Sequence, residues 1–152
     1  MLKKTLLVLA FLAVAIQCVR PAKNRSAAPA PGDIAALHPT PPEVQAILAK
    51  ACYDCHSDNT RYPWYAEIQP VGWWLASHVK DGKRHLNFSR FGAYPDIRAA
   101  RALTKTMDEM EDHEMPLASY TLIHRDAVLT PAEIAAVTQW AGAIRDRIAA
   151  QK

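Results

Sequence analysis

Cys52-Tyr53-Asp54-Cys55-His56 places two thiols and an imidazole within five consecutive residues. No other stretch constrains the fold as much, because three such groups at this spacing must bind one another or a shared partner. Whatever they hold has to be enclosed by the rest of the chain. The third cysteine, Cys18, lies far upstream, and an odd total of 3 argues against a disulfide scaffold. Half of the 152 residues are hydrophobic and 22% are charged, which supports one packed domain and excludes wholesale disorder. Lys3, Lys4 and Arg20 account for the whole excess of 18 basic over 15 acidic residues, so basicity gives no reason to invoke nucleic acid.

Those same basic residues frame an apolar run from Leu6 to Ile16. Lysines ahead of an apolar run are the pattern of a secretory leader, and the run is short of the roughly 20 residues of an ordinary spanning helix. Three fates are open for residues 1–19: a retained signal anchor, a cleaved signal peptide, or a lipid anchor on Cys18. Each exports the remainder. Residues 20–42 hold six of the 11 prolines among alanines, which reads as a partly extended tether. The working domain is then 43–150.

Four helices are legible in it. Thr40-Pro41-Pro42-Glu43 reads as a capped start, with Val44, Ile47, Leu48 and Ala51 on one face leading to Cys52. A second helix is expected over about 70–80, with Val71, Trp74, Leu75, His78 and Val79 inward and Gly82 as its stop. A third covers 95–112 with Ile97, Ala100, Leu103, Met107 and Met110 inward. The last opens on the capping box Thr130-Pro131-Ala132-Glu133 and places Ile134, Val137, Ala141, Ile144 and Ile148 on one stripe. No stretch alternates as a strand would, so the class is all-α. Long connections at 57–69, 83–94 and 113–129 suggest loops that wrap something.

C-x-x-C-H is the attachment sequence of c-type haem. Each thiol adds across one vinyl group, and the adjacent histidine ligates the iron. A redox disulfide lacks its usual βαβ setting, and zinc would have to recruit scattered histidines. The cofactor expected is therefore one haem c, covalent through Cys52 and Cys55, with His56 on the metal. Met115, followed by Pro116 in a polar loop, is the candidate opposite ligand. Met107 and Met110, at helical spacing, read as core. His78 is the rival ligand, or a buried donor to a haem propionate; His124 would bond a backbone carbonyl or a propionate. His85 and His113 read as solvated, and His38 belongs to the tether. Trp64, Tyr65, Trp73 and Trp74 crowd the stretch after His56 and could cover the haem. Asn87, Ser89, Lys83, Arg84 and Arg90 are candidates for the propionates or for bracing the Met115 loop.

The order of parts resembles class I cytochrome c: a helix ending in C-x-x-C-H, a Met-Pro strap and an amphipathic closing helix. CYDCHSDNTRYPWYAEIQPVGWWLASHVKDGKRHLNFSRFG at 52–92, MPLASYTLIHRDAVLT at 115–130 and Trp140 are more similar still to the exported monohaem "haem-binding domain" family of bacteria. IQCVRPAKN at 16–24 resembles the membrane-proximal stretch of that family. The resemblance implies a class I cytochrome c-like bundle of about four helices, haem on Cys52 and Cys55, His56 as axial ligand, and Met115 opposite.

The function expected is a membrane-tethered carrier of single electrons on the periplasmic side of the bacterial inner membrane, anchored or secreted. Its partners would be redox proteins at the membrane or in the periplasm, with the membrane itself met through the N-terminal segment. Acidic residues at 108–114 and basic ones at 80–105 offer weak steering surfaces. A haem-based ligand binder or sensor, using His78 or an open distal position, is the alternative. An enzyme is disfavoured, because no acid–base pair stands at a convincing spacing.

Overall fold

The computed structural model describes residues 1–26 and 30–151; residues 27–29 of the Pro/Ala-rich stretch lie outside them. Among the described residues all regular structure is helical. The helices are α1 (Leu2–Ala15), α2 (Ile34–Leu37), α3 (Pro42–Ala51), α4 (Tyr53–His56), α5 (Val71–His85), α6 (Asp96–Glu111), α7 (Ala118–Thr121) and α8 (Pro131–Ala149). Short 3-10 turns fill the connections at Trp64–Glu67, Phe88–Ala93 and Arg125–Ala127. The four helices expected from periodicity are α3, α5, α6 and α8.

The core forms where α6 and α8 pack along each other and α3 closes one side. Val44, Ile47 and Leu48 meet Leu103, Met110, Val137, Ala141 and Ile144, all buried. This is the burial the spacing of three and four predicts. The α8 capping box is complete: the Thr130 hydroxyl accepts from the Glu133 amide, and Glu133 accepts from the Thr130 amide. The box expected at Thr40 does not form. Pro41 occupies the cap position, and the Thr40 hydroxyl donates to the His38 carbonyl instead.

Three further expectations are corrected. The Pro/Ala-rich stretch is packed in places: Ile34 is fully buried in the main core, and the Gly92 amide donates to the Gly32 carbonyl. The α5 helix runs through Gly82 to His85. Gly82 is there because of close approach, since a β-carbon on it would stand 2.7 Å from the Cys55 carbonyl oxygen. Ile97, Val71 and Trp74 are exposed, since neither α6 nor α5 is covered along its whole apolar stripe.

Candidate functional site

The Cys52–His56 motif sits at a sharp junction. α3 ends at Ala51, Cys52 leaves helical geometry at φ −124°, and α4 begins at once with Tyr53. This turn lies against α5, where Gly82 lets the two backbones touch. The His56 Nδ1–H donates to the Leu86 carbonyl at 3.0 Å, which leaves Nε2 as the nitrogen for a metal. Burial holds this imidazole below the ordinary histidine range, against the pull of the Leu86 and Gly82 carbonyls. A neutral ring with one nitrogen committed is the ligating form.

Both thiols are free and protonated. Burial, with Cys55 beside it, pushes Cys52 up to about 12; burial and the Asp54 carboxylate push Cys55 up to about 11. Thiols so far from ionising are poor exchange nucleophiles, which speaks against a redox disulfide.

Between them, Asp54 is the best-connected group of the motif. Its buried carboxylate accepts from the Arg61 amide (2.9 Å), from Arg61 Nε (3.1 Å) and Nη2 (3.0 Å), and from the Tyr120 hydroxyl (2.7 Å). The variable position of the motif therefore ties it to two loops at once. Sequence reasoning passed over Asp54, whose partners come from seven and 66 residues away.

A cavity of about 720 Å³ opens beside this turn. Cys52, Cys55 and His56 form one wall, and Met115 with Pro116 lies on its lining as well. Its volume falls in the range of about 300–1,000 Å³ usual for cofactor sites. Met115 is aimed by the end of α6. His113 adopts a left-handed conformation at φ 59°, and the Glu114 and Met115 amides both donate to the Glu109 carbonyl, at 2.9 and 3.0 Å. His78 lines the same cavity, with Nδ1 bonded to the Trp74 carbonyl at 2.9 Å. Met110 reaches the lining from the core, while Met107 packs on the core as expected. Arg98, Arg101 and Lys105, one face of α6, line the cavity, with Lys105 paired there to Glu109 and Arg98 lying over the Tyr94 ring. Their spacing of three and four was legible, but their side of the helix was not.

Other candidates stand elsewhere. Trp64 is 76% exposed and lines neither this cavity nor its neighbour. Tyr65 borders the neighbouring cavity of about 340 Å³ and pairs with His124 Nε2 at 3.1 Å, so that histidine bonds a phenol and not a carbonyl. Asn87 is buried and donates to Asp58; Lys83 and Arg90 pair with the same carboxylate, and the Ser89 hydroxyl accepts from the Asp58 amide. These residues are engaged by Asp58. Burial alone would raise the Asp58 carboxyl, but bonds from Lys83, Arg90 and Asn87 hold it well below the usual carboxylate range. The cluster braces the segment that offers Leu86 to His56. His85 is exposed and also lines the large cavity, and His113 is exposed.

The donor set thus suits haem: a neutral imidazole with a free nitrogen, two protonated thiols, a thioether and a row of cations share one cavity. No curated protein and no solved structure matches the chain. The model of a haem-binding domain matches residues 11–143, and the chain belongs to that family.

Proposed function

We propose that this chain is a membrane-tethered c-type cytochrome that carries single electrons on the exported side of the membrane. The observation that carries the reading is the placing of Cys52, Cys55, His56 and Met115 on one cavity. Cys52 and Cys55 would hold the haem through two thioethers, each S–H adding across a vinyl group so that carbon takes the thiol hydrogen. His56 Nε2 and the Met115 thioether would ligate the iron, and Arg98 and Arg101 would meet the propionates. When bound, haem supplies an iron that alternates between ferrous and ferric. The protein's part is to hold both axial donors, keep water from the metal and fix the potential, which a thioether ligand raises. The partners proposed are redox proteins at the membrane, and the site works as a carrier rather than an enzyme. Among the described residues no helix is long and apolar enough to cross a membrane. The tether proposed is the exposed apolar α1 segment.

One observation favours a second reading. His78 faces the same cavity with its Nδ1–H committed to the Trp74 carbonyl, so it offers the Nε2 lone pair as a rival ligand, as in a sensor. Spectra of the ferric protein separate the two. In the carrier, a near-infrared methionine–iron band is lost in Met115→Ala and kept in His78→Ala. A high-spin wild-type spectrum with ready carbon monoxide binding overturns the carrier reading.

A further inference from the structure

The α1 helix has no buried residue, and its apolar side chains are exposed along its length. The 3-10 turn that follows it, Ile16–Cys18, is nevertheless fixed to the domain. Gln17 Nε2 donates to the Gln69 carbonyl (3.2 Å), the Gln69 amide donates back to Gln17 Oε1 (2.9 Å), and Trp73 Nε1 donates to the Val19 carbonyl (2.7 Å). Arg20 and Lys23 both pair with Glu67, neutralising the acid at this junction. The helix therefore leaves the domain at a set place, between Ile68 and Val71.

That place is ringed by apolar side chains in contact with solvent. Trp64, Ile68 and Trp74 are exposed, as are Leu122 (64%) and Ile123 (59%). Val71, Trp74 and Ile123 border the same 340 Å³ cavity, Trp64 packs edge-on against Tyr65, another of its residues, and Ile68 and Leu122 adjoin Gln69 and Ile123 along the chain. Tryptophans, tyrosines and basic side chains grouped around an apolar segment have the composition of a membrane–water boundary.

Length adds a second argument. The 14 residues of α1 rise about 21 Å. A bilayer's hydrocarbon layer is about 30 Å thick. An anchor that short cannot hold the domain clear of the headgroups, and it draws the face around its exit into them.

We propose that the surface built from Trp64, Ile68, Val71, Trp74, Leu122 and Ile123 sits in the headgroup region of the bilayer that α1 enters. The domain is thereby held in one orientation on the membrane. This rests on the tethering in the proposed function and adds a fixed docking face to it.

The test uses the full-length protein in vesicles of phosphatidylcholine and phosphatidylglycerol. These carry a phospholipid with a diazirine at the glycerol end of one acyl chain. After photolysis, lipid adducts are mapped by peptide mass spectrometry. Adducts are expected on residues 2–16 and also on 62–74 and 120–124, several-fold above those on the peptide holding Ile97. That exposed apolar residue adjoins Arg98, which bonds the Arg84 carbonyl at the far end of α5. Trp64→Ser with Ile68→Ser, both at exposed positions, should reduce the adducts on 62–74 several-fold and leave those on 2–16 unchanged. Adducts confined to 2–16 overturn the docking face and leave the tether standing. None on 2–16 overturns the tether and the face with it.

Discussion

The two sides of the large cavity are built differently. The Cys52–His56 turn is held by bonds from every direction: Asp54 takes four, Ser57 donates to the Tyr53 carbonyl, Thr60 donates to the Asp54 carbonyl, and His56 is fixed on Leu86. The Met115 strap hangs from a single acceptor, the Glu109 carbonyl, after a left-handed histidine. The Cys52–His56 side is preformed by a network, whereas the Met115 side is aimed by a backbone turn. A network fails when one central member is removed; a turn fails when its one special dihedral is disturbed.

The largest effect is expected on the Cys52–His56 side from Cys52→Ala with Cys55→Ala. Pigment resistant to acid–acetone extraction should vanish, and the thermal transition should weaken or disappear, because the cavity walls lose what fills them. Full covalent haem in the double variant would refute the attachment. Asp54→Ala comes next. It strands the Arg61 amide and guanidinium and leaves the Tyr120 hydroxyl only the Lys50 carbonyl, and should lower stability by about 2–3 kcal/mol in chemical denaturation. A loss below about 0.5 kcal/mol, the scale of an ordinary surface change, would mean the network is not central.

The strap should respond to backbone chemistry instead. His113→Val forces a β-branched residue at φ 59° and should cost about 1–2 kcal/mol. It should also weaken the methionine–iron band. His113→Gly should cost nothing, and keep the band, since glycine adopts this conformation freely. Equal behaviour of the two variants would show that the dihedral does not aim Met115.

The smallest effect lies between the sides, where Glu133 of α8 holds Lys50 of α3 and the Thr130 cap. The Lys50 bond and the Thr130 amide hold the Glu133 carboxyl below its ordinary value. A carboxyl lowered on folding contributes its stability above the unfolded value and loses it as pH falls through the lower folded one. Glu133→Gln should therefore cost about 1 kcal/mol at neutral pH. The difference should disappear once the medium is acid enough to protonate the native carboxyl. A gap between the two unfolding curves that persists there would rule out this charge as its source.

Much of this was readable in advance because it is local. The four long helices follow from apolar residues three and four apart, and the α8 cap from Thr130 and Glu133. Cys52, Cys55, His56 and Met115 were identified from neighbouring residues alone, and the structure puts them on one cavity. The aromatic and polar candidates fared differently. Trp64 and Tyr65 were near the motif in sequence, yet Trp64 lines neither cavity and Tyr65 lines only the smaller one, which Cys55 and Tyr120 also border. Asn87 had the right chemistry for a propionate, but Asp58 engages it.

The sequence by itself determined the class of fold and placed two thiols, an imidazole and a thioether as candidates for one site, since each depends on periodicity or on residues adjacent along the chain. Only the tertiary structure decided that Asp54 locks the motif, that α6 turns Arg98, Arg101 and Lys105 to the cavity, and that α1 is fixed to the domain through Gln17 and Gln69. Those depend on which groups meet across tens of residues. Hydrogen bonding and burial are settled by the nearest partner in space, and spacing along the chain does not encode it.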